Sequence, residues 1–166
     1  FVNTHRMVSD YTSEFYLKAH ERFRRLEAEG GAQARSLAAF IARVQAGWPQ
    51  VRIEGIEDGP GQALPVGSSM TARAHIRLGE LTPEGVAVEL YLGRLSPSGE
   101  IVDAHCEPMK PVGRDDNGRF LFEAKGVHCS RSGLHGFTVR VRPYHPNLTG
   151  DFLPGLIAWA EPERVG

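Results

Sequence analysis

Cys129-Ser130-Arg131-Ser132-Gly133-Leu134-His135-Gly136-Phe137-Thr138-Val139-Arg140-Val141-Arg142-Pro143-Tyr144-His145 is the stretch whose reading decides the fold. Cys129, Ser130, Ser132 and His135 sit close together and invite a search for a nucleophile and its base. Yet two glycines lead into Phe137, Val139 and Val141, which alternate with Thr138, Arg140 and Arg142, the pattern of a half-buried strand. A nucleophile needs a base in hydrogen-bond contact and a third group to orient that base. No Gly-x-Ser-x-Gly elbow surrounds either serine. The stretch therefore reads as a loop entering a core strand, and Cys129 with His135 as an independent enzyme site is the weaker reading.

The same period of two recurs on both sides of this strand. Val51, Ile53 and Ile56 open it, with Gly55 interrupting the alternation as a bulge does. Met70–Leu78, Val86–Leu92, Ile101–Cys106, Phe120–Ala124 and Leu156–Ala160 follow. Between them lie Gly59-Pro60-Gly61, Thr82-Pro83-Glu84-Gly85, Ser96-Pro97-Ser98-Gly99 and Asp115-Asp116-Asn117-Gly118. Asn117-Gly118 between two apolar runs predicts a tight hairpin, because both residues tolerate positive φ. Some seven short strands joined by turns rather than helices predict an antiparallel, immunoglobulin-like β-sandwich over residues 51–166. The chain is thus mainly β.

Residues 1–48 follow the helical period instead. Met7, Val8, Tyr11, Phe15, Ala19, Phe23 and Leu26 form one apolar stripe after an N-cap at Asn3 or Thr4. Leu37, Phe40, Ile41, Val44 and Trp48 form another. Gly30-Gly31 separates the two, and Gly47 with Pro49 ends the second. The expectation is an α-helical hairpin preceding the sandwich.

Composition narrows the function classes. The 166 residues carry a formal charge of −1, with 41% hydrophobic and 23% charged residues. Such a chain suits a compact domain with no global field toward nucleic acid or an anionic membrane. No apolar run approaches the ~18 residues of a membrane span, so neither a nucleic-acid nor a membrane partner is expected. The chain begins at Phe1 and not at a methionine, which suits a fragment or a processed product. Cys106 and Cys129 are too few for a disulfide framework, and reduced buried thiols in a cytoplasmic protein are expected.

Each remaining candidate has a plainer counterpart. His105-Cys106 and His128-Cys129 would offer metal ligands if their strands were adjacent. Neighbouring strand residues point to opposite faces, however, and the Cys-x₂₋₄-Cys spacing of structural zinc is missing, so no metal site is expected. Gly59-Pro60-Gly61 precedes a strand, not the helix N-terminus that holds a phosphate. Asp115-Asp116 falls in a turn, where aspartate is favoured. Arg140 and Arg142 share a strand face and suit either solvated edge charges or an acidic or hydroxyl-rich partner. Trp48, Tyr91, Tyr144 and Trp159 are the aromatic residues available for stacking on sugar. Trp48, Tyr144, Arg140 and Arg142 are the candidate glycan contacts.

Both ends of the chain carry a family likeness. Phe1-Val2-Asn3-Thr4-His5-Arg6-Met7-Val8-Ser9-Asp10-Tyr11 resembles the helix that closes the catalytic region of bacterial alpha-glucan phosphorylases, with Val2 as a departure from the pattern F-N-T-x-R-M-V-x-x-Y. Cys129-Ser130-Arg131-Ser132-Gly133-x-His135-Gly136-Phe137, Pro143-Tyr144-His145-Pro146 and Gly155-Leu156-Ile157-Ala158-Trp159-Ala160 resemble the end of the same group. The resemblance implies the C-terminal region of a glycogen phosphorylase homologue, a cytoplasmic glycosyltransferase of carbohydrate metabolism. That family uses pyridoxal phosphate on a lysine, and phosphorolyses alpha-1,4-glucan to glucose 1-phosphate. None of Lys18, Lys110 and Lys125 sits in the family's cofactor motif, so the resemblance implies no catalytic or cofactor-binding residue here. It implies that residues 1–48 end the catalytic region and that the sandwich has a structural, substrate-positioning or subunit-positioning role. The partners expected are the upstream catalytic domain, an alpha-1,4-glucan, and a second copy through the Met7-Tyr11-Phe15 stripe. A stand-alone carbohydrate-binding β-sandwich module is the alternative.

Overall fold

A computed structural model describes residues 18–57, 69–128, 135–148 and 153–160. Among the described residues the helix-forming segment is one helical element, α1 (Lys18–Gly47). Gly30 and Gly31 lie within it at φ of 64° and 80°. Among the described residues, the two expected helices meet in a single helical span with a glycine joint, because left-handed glycines change the chain's course without needing a loop. Arg35 secures the joint, its Nη1 donating to the Gly30 carbonyl at 2.8 Å. Beyond the joint the second stripe is buried as its period requires, with Leu37, Phe40, Val44 and Trp48 all in the core. Pro49 starts the short 3₁₀ turn Trp48–Gln50, and Val51 N–H closes it on the Trp48 carbonyl. The Met7-Tyr11-Phe15 stripe lies outside the described residues.

Seven strands follow among the described residues: β1 (Arg52–Glu57), β2 (Ser69–Arg77), β3 (Val86–Leu95), β4 (Ile101–Arg114), β5 (Phe120–His128), β6 (His135–Pro143) and β7 (Ala158–Trp159). Their order is β1-β2-β5-β4-β3-β6-β7, every pairing antiparallel. The sheet folds over on itself into two layers, and β1 comes close to β6 and β7. The Gly55 irregularity is a bulge, with the register slipping between Ile53 and Gly55. Asn117-Gly118 forms the predicted hairpin, Gly118 at φ 75° and its N–H bonded to Asp115 O.

β4 is the strand that makes two layers from one sheet. Ile101–Met109 pairs with β3, and Lys110–Arg114 pairs with β5. It is far longer than the expected Ile101–Cys106 and carries Pro108 and Pro111 within it. They are tolerated because each half of β4 is paired on one side only, so a missing N–H breaks no ladder. Gly136 also differs from expectation. It lies inside β6 opposite Gly93, where a Cβ would come within 2.6 Å of Leu95 Cδ2, so it serves close packing and not a loop. The last strand shrinks from Leu156–Ala160 to Ala158–Trp159, although Ala160 N–H still reaches Val139 O at 2.9 Å.

The two layers enclose one apolar cluster. Met70, Ala72, Ala74 and Ile76 of β2 and Phe122 and Ala124 of β5 face Val86, Val88, Leu90 and Leu92 of β3 with Val139 and Val141 of β6. Each fully buried large side chain here contributes roughly 1.5–3 kcal/mol relative to exposure. α1 closes one end: Phe40 meets the His145 ring at 4.9 Å, and Asn147 Nδ2 donates to Gln33 Oε1 at 2.7 Å. The Pro143-Tyr144-His145-Pro146 segment therefore fastens the helix to the sandwich.

Candidate functional site

Alternation along β3 and β6 turns Val86, Val88, Leu90, Val139 and Val141 inward, which leaves Glu89, Tyr91, Thr138, Arg140 and Arg142 on the outer face. Register then decides which of these meet. Arg140 pairs with Glu89 on one side and with Trp159 on the other. Glu89 Oε2 accepts from Arg140 Nε at 2.7 Å, and Oε1 accepts from Arg142 Nη2 at 2.8 Å and Nε at 3.1 Å. Burial works to raise the Glu89 carboxyl, but the hydrogen bonds and charges of Arg142 and Arg140 outweigh it and hold it below the ordinary carboxylate range. The Arg140 guanidinium lies 5.6 Å from the Tyr91 ring centroid and 5.7 Å from that of Trp159. The two rings meet edge to face at 5.2 Å.

Among the candidate glycan contacts, Arg140 and Arg142 thus come together with Tyr91 and Trp159. They are not solvated edge charges, since β6 lies between β3 and β7 and both guanidinium groups are largely covered. Tyr144 is 48% exposed at the end of the same strand, its N–H bonded to Gly85 O. Trp48 as a glycan platform needs correction. It is buried with Phe40 and Val44 in the helix-to-sandwich core, so no sugar ring can stack on it. Glu89 was not among the sequence candidates. Its signal, a lone carboxylate within Val86–Leu92, acquires meaning only once β3 is known to lie beside β6.

The outer face of the other layer is of a different kind. Glu54 pairs with Arg77 and Arg119, Asp115 with Arg119 and His75, and Glu123 with Arg73 and Lys125. His75 also brings Nε2 to 2.8 Å from Glu57 Oε1. Burial works to raise Asp115, but the Arg119 backbone N–H and guanidinium and the His75 ring overcome it and hold the carboxyl at about 2. Arg119 and His75 make Asp115 part of a tied hairpin, not an acid or a base.

The other candidates separate. His105 and Cys106 pair with Leu92 and Tyr91 of β3, whereas His128 pairs with Ser69 of β2 in the other layer. β4 and β5 are adjacent strands, but their ladder runs only between Lys110–Arg114 and Phe120–Glu123, so no pairing aligns His105 with His128. Cys129, Ser130 and Ser132 lie outside the described residues. Cys106 is exposed, not buried as expected, because β4 turns most of its length to solvent. Among the described residues no three His, Cys, Asp or Glu side chains are grouped to hold a metal ion. Pyridoxal phosphate fits neither Lys110 nor Lys125, the lysines whose side chains are described. Lys110 stands exposed on β4, and Lys125 is exposed with its Nζ 2.8 Å from Glu123. An open sheet face provides neither enclosure nor an anion cradle for the cofactor.

Comparison with known proteins supplies lineage. The family model described as the glycogen phosphorylase C-terminal domain matches residues 48–161. A glycogen phosphorylase of Mycobacterium tuberculosis is 33% identical over 156 residues, covering 93% of this chain and 18% of its own length. A maltodextrin phosphorylase of Thermococcus litoralis is 30% identical over 159 residues, covering 95% of this chain and 18% of its own. The chain therefore spans about a fifth of the length of these curated relatives. With the match covering the second α1 stripe's end and the whole sheet, the chain belongs to the glycogen phosphorylase C-terminal domain family.

Proposed function

We propose that this chain is the non-catalytic C-terminal part of a cytoplasmic, pyridoxal phosphate-dependent alpha-glucan phosphorylase. In the reaction proposed for the whole protein, an orthophosphate oxygen bonds to C1 of the terminal glucose while the glycosidic bond breaks. The leaving oxygen takes a proton, giving glucose 1-phosphate and a shortened glucan. The observation that carries the reading is the match to the phosphorylase C-terminal domain, together with relatives that align along nearly all of this chain. No helix among the described residues is long and apolar enough to cross a membrane. The sandwich then serves to position the catalytic region, a subunit or the glucan, with residues 1–48 belonging to the catalytic region's end and 51–166 to the sandwich.

The test is phosphate-dependent release of glucose 1-phosphate from maltoheptaose, measured for the long protein that contains this segment and for the 166 residues alone. Activity in the long protein and none in the segment is the expected result. Absence of product from the long protein, or product from the segment, overturns the proposal.

The exposed aromatic rings of Tyr144 and Trp159 favour one second reading, a carbohydrate-binding module. Saturable binding of maltoheptaose that is lost in Tyr144→Ala would support it. A loss in Trp48→Ala would not, since that side chain is in the core.

A further inference from the structure

Five large apolar side chains are exposed among the described residues: Phe23, Val112, Tyr144, Ile157 and Trp159. Three of them gather on one edge. Arg140 pairs with Trp159 and Val141 with Ala158, so one more antiparallel step places Ile157 beside Arg142. Tyr144 lies two residues beyond Arg142, and alternation around the buried Pro143 puts it on the same side. The edge therefore carries tyrosine, isoleucine and tryptophan in a row, backed by Arg140 and Arg142.

We infer that this β6–β7 edge, centred on Tyr144, Ile157 and Trp159 with Arg140 behind them, is the face covered by the rest of the parent polypeptide. The inference rests on the proposed reading of the chain as part of a longer phosphorylase. It adds which surface of the sandwich meets the remainder.

The composition of the edge suits a protein partner. Tryptophan, tyrosine and arginine are the residues that anchor interfaces, because they bury much area at small entropic cost. Arg140 is already held by Glu89 and by two rings, so it is pre-organised and loses little freedom on docking. A glucan fits less well. The guanidinium lies against both rings and Tyr91 meets Trp159 edge-on, so no pair of open flat rings faces outward for sugars to stack on. The branched Ile157 adds apolar bulk that a sugar's hydroxyls do not match. Curated relatives carry more than four-fifths of their length outside the region aligned here, which supplies the occupant. Among the described residues the opposite layer is tied to itself by ion pairs and has no comparable cluster of exposed apolar side chains.

The experiment is hydroxyl-radical footprinting with mass spectrometry on the intact long protein, beside its phosphorolysis assay. Trp159 is 43% exposed here, and burial below a tenth lowers its normalised labelling roughly fourfold or more. Protection of Trp159 and Tyr144 together, with Tyr144 released in Trp159→Glu, is the expected result. Labelling of Trp159 at the rate of a 43% exposed ring overturns the inference. So does protection that vanishes on dilution, which indicates a second copy, or protection that appears only with maltoheptaose, which indicates glucan. Phosphorolysis without protection defeats the face assignment alone. Protection without phosphorolysis defeats the proposed reaction and leaves the covered face standing.

Discussion

The two outer faces of the sandwich are built from the same alternation but solve different problems. On the β1-β2-β5 side, Glu54, Glu57, Asp115 and Glu123 are shared among Arg73, His75, Arg77, Arg119 and Lys125, so the face is knitted by charge across strands. On the β3-β6-β7 side one carboxylate, Glu89, holds two guanidinium groups while Tyr91 and Trp159 cover one of them. The difference lies in redundancy and solvent. A face with many exposed partners loses little when one is removed, because water and neighbours replace it. A largely covered carboxylate serving two arginines is harder to replace, because water reaches it poorly.

The largest expected effect follows from that contrast. Glu89→Ala leaves Arg140 and Arg142 adjacent and mostly covered without their carboxylate, and is expected to cost about 3 kcal/mol in chemical denaturation. A loss within the range of ordinary surface substitutions would break the comparison. Trp159→Ala is expected to cost about 1 kcal/mol, through the lost ring pair with Tyr91 and the lost cover over Arg140. A double-mutant cycle with Tyr91→Ala checks whether that energy is shared between the rings.

Acid sharpens the comparison from the opposite face. Asp115 is held at about 2, below its ordinary 3.8. A carboxyl depressed in the folded state stabilises the fold fully above its unfolded value. That contribution drains away as pH falls from about 4 through about 2. Stability measured between pH 5 and 2 is expected to fall less steeply in Asp115→Asn than in the parent chain. An unchanged slope counts against the tied hairpin. The smallest effect is expected for Arg77→Ala, whose exposed pair with Glu54 has Arg119 as a second partner. Raising salt is expected to reduce even that small difference, because exposed pairs are screened.

Much of this architecture is visible in local pattern. The strands around Val86–Leu92 and Phe137–Val141, the Asn117-Gly118 hairpin, the Gly55 bulge and the Leu37-Phe40-Val44 stripe all follow from period and turn chemistry. β4 runs past the expected end at Cys106, through Pro108 and Pro111, to Arg114. The prolines are harmless because each half of that strand has one partner. Trp48 belonged both to the Leu37-Phe40-Val44 stripe and to the glycan candidates, and the packing of α1 on the sandwich decides for the core. The aromatic-arginine edge was half visible. Arg140, Arg142, Tyr144 and the rings were in view, but Glu89 and Ile157 were not.

The sequence by itself determined the class of the fold, the inward set of side chains and, through the resemblance of its ends, the family. Those are local or inherited properties, set by residue spacing of two or 3.6 and by motif. Tertiary structure alone decided that β4 joins the layers and that Glu89 lies between Arg140 and Arg142. The physical reason is register. Alternation says which face a side chain takes, but only strand order and the slip between partners say which charges and rings meet across it.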